Sequence, residues 1–205
     1  KYQYLPKQDR AFMTRLVDGT IEYMLQLDYI IDSFSKTKVK KMKPFIRNLL
    51  RMSVYQIKYM DAVPDSAVCN EAVKLAKRHK FAQLSGFVNG VLRNIARNID
   101  SVQLDTLSIR YSMPQWIVDR FVAAYGEKKA EEIFKAFHSK STISIRTNLT
   151  RCTPDELRAM LEAEGVTVTA VDELNYAFVI SGFDYLNCLQ SFRDGLFYVQ
   201  DISSM

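Results

Sequence analysis

The sequence is poor in the features that usually announce chemistry. Its seven glycines, at 19, 86, 90, 126, 165, 182 and 195, show no G-x-G or P-loop spacing, so no dinucleotide, nucleotide or phosphate cradle is legible. Three cysteines, Cys69, Cys152 and Cys188, are scattered without a C-x-x-C pair, and the two histidines, His79 and His138, stand near none of them at ligand spacing. That leaves neither a zinc motif nor a disulfide framework, and no metal is expected. No apolar run approaches the roughly 18 residues a membrane helix needs, and no signal segment opens the chain, so no membrane partner and a cytoplasmic location are expected. Carboxylate pairs such as Asp155/Glu156 and Glu131/Glu132 fall where first helical turns are expected, favouring the helix dipole rather than acid–base catalysis. No catalytic residue can be assigned.

What the chain has is a core and an uneven charge. It is 205 residues long with 48% hydrophobic content, enough for one large or two modest domains. Residues 1–100 carry 18 Lys+Arg against 9 Asp+Glu, whereas residues 101–205 carry 10 against 14. A half with a two-to-one excess of base points to a polyanionic partner, most often nucleic acid.

Apolar residues from Gln8 to Phe34 recur at steps of three and four, predicting one long amphipathic helix or two end to end with Gly19 as the soft point. Five lysines then occupy eight positions between Lys36 and Lys43, a self-repelling, solvated run. Pro44 opens a helix with Ile46, Leu49, Leu50, Val54 and Ile57 on one face and Arg47, Arg51, Tyr55 and Lys58 on another. A third helix, capped by Asp65 or Ser66, runs through Arg78, and a fourth covers Gly86 to Arg97 with Arg93 and Arg97 outward. Residues 1–98 therefore read as an all-helical domain and residues 99–140 as a helical linker, with Trp116 at helical spacing more often core than stacking platform. From Thr142 the periodicity changes to strands. A capping box at Thr153-Pro154-Asp155-Glu156 starts a helix that Gly165 ends, and three further strands follow. Residues 141–205 thus make a small α+β domain of the split-βαβ, ferredoxin- or RRM-like kind.

Three blocks, KQDRAFMTRLVDGTIE, IRNLLRMSVYQIKYMDAVPDSAVCNEAVKLAKR and GFVNGVLRNIAR, resemble the NusB fold in the family's order. The continuation through LSIRYSMPQWIVDRFVAAYGEKKAEEIFKAF, ISIRTNLTRCTPDELRAMLEAEGV and FRDGLFYVQDISSM is similar to the ribosomal RNA small subunit methyltransferase B family, the Fmu/Sun-type rRNA cytosine-C5 methyltransferases. The resemblance implies a division of labour. The helical and α+β domains would bind and position small-subunit rRNA, and a following Rossmann-like domain, absent here, would bind S-adenosylmethionine and carry the catalytic cysteines. The family's nucleophile stands in a Thr-Cys context and its second cysteine follows a proline; Cys69, Cys152 and Cys188 follow Val68, Arg151 and Asn187, so no catalytic or cofactor-binding residue is expected in this chain. The final stretch is expected to lead into that further domain, with Gln200 and Asp201 at its edge. Charge and helical phase nominate Lys40, Lys41, Lys43, Arg47, Arg51, Arg93 and Arg97 as phosphate contacts. A non-enzymatic RNA- and protein-binding module of the antitermination type is the alternative reading.

Overall fold

The computed structural model describes residues 4–139 and 142–205; the expected domain boundary at Lys140 and Ser141 lies outside the described residues. The chain divides into two compact units, Lys1–His138 and Ser139–Met205.

The first unit is helical. The apolar run from Gln8 becomes α1 (Lys7–Glu22) and α2 (Met24–Phe34). The break falls at Tyr23 rather than Gly19; Gly19 stays helical and has a packing role, since a Cβ there would collide with the ring of Tyr55. The amide of Leu25, exposed by the break, is met from far along the chain by the Ser112 hydroxyl at 3.0 Å. Then come α3 (Pro44–Tyr59), α4 (Asp65–Arg78) and α5 (Ser85–Asn98). Helix α3 touches α1, α2, α4 and α5, so a helix expected to have one buried face is enclosed on several sides. Tyr55, assigned to the outer face by phase, is buried. Asp65 is the first residue of α4 and makes no side-chain cap.

Three more helices, α6 (Leu107–Arg110), α7 (Gln115–Tyr125) and α8 (Glu127–Phe137), also lie in this unit. Buried Gln26 ties α6 to the bundle, donating to the carbonyls of Ile109 (3.1 Å) and Arg110 (2.9 Å) and accepting from the Tyr59 hydroxyl. Gly126, at φ 77°, separates α7 from α8, a backbone state other residues adopt only with strain. Trp116 is 66% exposed; Val118, Ala130 and Phe134 form the local core instead.

The second unit is a four-stranded sheet in the order β2-β3-β1-β4, with every neighbouring pair antiparallel. Its elements are β1 (Ile143–Thr147), α9 (Pro154–Ala163), β2 (Thr167–Val171), β3 (Leu174–Ser181), the short α10 (Gln190–Arg193) and β4 (Phe197–Val199). This is the ferredoxin-like arrangement with its second crossover helix reduced to one turn. Ile145, Phe178, Ile180 and Phe197 from the strands pack with Leu157 and Leu161 of α9 and with Leu189. The capping box is formed in full: Glu156 N–H reaches Thr153 Oγ1, and Thr153 N–H reaches Glu156 Oε2 at 2.8 Å.

Candidate nucleic-acid interface

Charge separates with the two units. Residues 1–138 carry a net +9 and residues 139–205 a net −4, which together make the +5 of the chain. A polyanion would therefore be drawn to the helical unit.

The lysine run is held in place from below. Val39 and Met42 are buried in the core of the unit, and Asp32 Oδ1 accepts the Val39 amide at 2.7 Å. One 3-10 turn, Val39–Lys41, results, and Lys36, Lys38, Lys40, Lys41 and Lys43 stay exposed around it. The expected loop is thus solvated in its side chains and anchored in its backbone. Arg93 and Arg97 are exposed on α5, Arg93 Nε donating to Asn89 at 3.0 Å. At about 1.5 Å per helical residue they lie roughly 10 Å and 15 Å along α5 from its first turn.

The two arginines of α3 differ. Arg47 is half-buried, and its Nε has no hydrogen-bond partner. Arg51 donates through Nε and Nη2 to the two carboxylate oxygens of Asp28 on α2, at 2.7 and 2.6 Å, and its side chain is only 14% exposed. Geometry of this kind is strong and specific; Arg51 already has an anion. Lys58 is half-buried too, and burial lowers its pKa, with Asp100 acting in the opposite direction.

Sequence reasoning passed over a neighbouring group. The C-terminal end of α4 presents Lys77, Arg78, His79 and Lys80, all exposed. His79 packs on Phe45 at 4.6 Å between ring centroids, and Phe45 stacks on Phe81 at 5.3 Å with the planes nearly parallel. Because Phe45 follows Lys43 and Pro44, the end of the lysine run and the end of α4 meet at one end of the bundle. The local signal, a basic cluster closing a helix, reads first as a favourable dipole contact; only the aromatic stack between distant segments reveals the shared surface.

Two of the thiols are held in the protonated form. Burial pushes the Cys69 thiol up despite the pull of Arg93, and burial followed by Glu156 pushes Cys152 up. Glu131, expected in a first helical turn, lies in the second turn of α8, where it accepts from Arg110 (2.7 Å) and Tyr111 (3.1 Å). Among the described residues no group of His, Cys, Asp or Glu is placed to hold a metal, and no helix is long and apolar enough to cross a membrane.

Comparison with known proteins divides the chain earlier than the compact units do, since the second match begins within the helical unit. Residues 1–97 match the NusB family, and residues 113–183 match the Methyltr_RsmF/B-like, ferredoxin-like domain. The probable ribosomal RNA small subunit methyltransferase B of Bacillus subtilis (strain 168) is 33% identical across the whole chain, which covers 47% of that relative. Its counterpart in Synechocystis sp. is 30% identical over 98% of the chain and 46% of its own length. The transcription antitermination protein NusB of Dictyoglomus thermophilum is 40% identical, but over 47% of the chain and 67% of its own length. A crystal structure titled PH0851 shares the fold with a TM-score of 0.73 over 95% of the chain at 19% identity, and the match covers 45% of that structure. The class is therefore a NusB domain joined to a ferredoxin-like domain of the RsmF/B methyltransferase type. Along nearly its whole length the chain is similar to the amino-terminal part of relatives named ribosomal RNA small subunit methyltransferase B, and it spans about half their length.

Proposed function

We propose that this chain is the RNA-binding and positioning region of an S-adenosylmethionine-dependent rRNA cytosine-C5 methyltransferase that acts on small-subunit rRNA. The observation that carries the reading is the join itself. A net +9 helical unit whose residues 1–97 match the NusB family is continued by a chain whose residues 113–183 match the ferredoxin-like domain of RsmF/B methyltransferases, and relatives named as small-subunit rRNA methyltransferases align along nearly the whole chain. The exposed lysines and arginines supply phosphate affinity without sequence preference.

The residues present do not fit the methyl donor. The sheet is wholly antiparallel among its described strands, no glycine pair has cradle spacing, and the Cys69 and Cys152 thiols are raised rather than activated. No step of methyl transfer is assigned to this chain. Incubated with labelled S-adenosylmethionine and small-subunit rRNA, the 205 residues are expected to bind the RNA and transfer nothing. If several phosphates are contacted, affinity falls by about 10³-fold or more between 50 and 200 mM salt. Methyl transfer, or salt-insensitive binding, sinks the reading.

The 40% identity to a NusB protein favours a second reading, a non-enzymatic antitermination module. It leaves the ferredoxin-like unit without a role. Gene sequence beyond Met205 discriminates: a Rossmann-like segment with a glycine-rich loop, a Pro-Cys and a Thr-Cys supports the methyltransferase, and a stop codon supports the module.

A further inference from the structure

Beside the lysine run, at the same end of the bundle, a cleft of about 330 Å³ opens between the loop and the start of α5. Its floor is apolar: Met42 and Ile46 are buried, and Leu84 and Phe87 are half-buried. Exposed Thr37, Lys41 and Lys43 complete its lining. No carboxylate lines it. Two other cavities among the described residues of the unit lack this combination. The larger cleft beside α7 is lined by Asp105, Asp119 and Glu127, and the groove between α1 and α3 offers Arg51, already paired with Asp28.

We propose that this cleft receives one unstacked nucleobase of single-stranded RNA, its ring lying on Phe87 and the Met42–Ile46 floor and its flanking phosphates held by Lys41 and Lys43. The proposal rests on the reading of the helical unit as RNA-binding and specifies how RNA is gripped there. Single-stranded RNA is recognised by splaying bases onto aromatic side chains while cations track the backbone. An apolar slot lined by two exposed lysines meets both requirements, and Lys36, Lys38 and Lys40, exposed in the adjoining loop, add cationic charge beside it. An acidic peptide is the other candidate for such a slot. The lining, however, lacks the guanidinium fork that fixes carboxylates in pairs, and the floor suits a flat ring.

The test compares two labelled ten-nucleotide probes on the full chain: oligoadenylate and the same backbone with its central residues abasic. The intact chain is expected to bind the base-bearing probe about tenfold or more tightly, the order of one stacked base. Phe87→Ala is expected to erase that preference while keeping the salt dependence, and Lys41→Gln with Lys43→Gln to weaken both probes equally and flatten the salt dependence. Phe87 touches the core, so Phe87→Leu, which keeps the apolar bulk, is measured beside it and is expected to lose most of the preference with unfolding unchanged. Quenching of a 2-aminopurine at the central position, lost in both Phe87 variants, reports the stack directly. Equal affinity for the two probes in the intact chain overturns the cleft and leaves the RNA-binding reading standing. Absence of any salt-dependent RNA binding overturns both. Phe87-dependent capture of an acidic amphipathic peptide, with no preference between the RNA probes, assigns the slot to protein and overturns the proposal.

Discussion

Asp28 decides what Arg51 can do. A guanidinium whose Nε and Nη2 are engaged by one carboxylate and whose Nη1 faces Asn48, on a side chain 14% exposed, has little left for a phosphate, whereas Lys40, Lys41 and Lys43 are exposed. Asp28→Asn is therefore expected to destabilise the helical unit by about 1–3 kcal/mol, since a part-buried charge loses its partner, and to leave the salt dependence of RNA binding intact. Changing the three lysines to Gln should do the reverse; denaturant unfolding and binding at two salt concentrations separate the two effects. Gly19 is the other residue whose role is steric. Gly19→Ala would drive a methyl group into the buried Tyr55 ring, and overpacking of this kind costs about 1–3 kcal/mol. An unchanged unfolding midpoint would show that the ring moves aside freely.

Among the elements, α9 is the one most fully written in local sequence. Thr153 and Glu156 satisfy each other's backbone donors, and the Thr153 backbone N–H, followed by its hydroxyl, holds the Glu156 carboxyl below the usual glutamate range. A depressed carboxylate stabilises the fold above its ordinary value, and that contribution is lost as pH falls through the lowered one. Amide protection in the first turn of α9 is accordingly expected to drop under acid more than in the rest of the helix, and the difference to vanish in Glu156→Gln. Thr153→Ala should cost about 1 kcal/mol at neutral pH. Helix and strand positions, the stop at Gly165 and the general location of the lysine run were legible because each depends on neighbours a few residues apart. What was not legible depended on distant partners: the kink at Tyr23 is satisfied by Ser112, Tyr55 is enclosed because α3 has four helical neighbours, and the Phe45, His79 and Phe81 stack joins the start of α3 to the segment after α4. Trp116 was misjudged for the opposite reason, since its helical phase says nothing about whether a neighbour covers it.

For the whole molecule, opposite net charges on the two units predict that RNA is held by one of them. A fragment comprising residues 1–138 is expected to fold cooperatively and to keep nearly all of the chain's RNA affinity and salt dependence, while residues 139–205, with a net −4, should bind weakly or not at all. Circular dichroism and filter binding on the two fragments test this, and an α+β fragment that alone accounts for the affinity would refute it. The seven candidate contacts were drawn from charge and phase and all fall in the helical unit, but phase could not reveal that one of them was occupied by Asp28.

The strand order β2-β3-β1-β4 puts the first and last strands of the ferredoxin-like unit side by side, with Ile145 opposite Val199. Because the pair is antiparallel, the chain enters at Ile143 and departs after Val199 at the same end of the sheet, with neighbouring strands only about 5 Å apart. A unit attached in this way behaves as a cassette: its helices and hairpin can be exchanged, lengthened or replaced by another split-βαβ module without moving the two points at which the polypeptide passes through it.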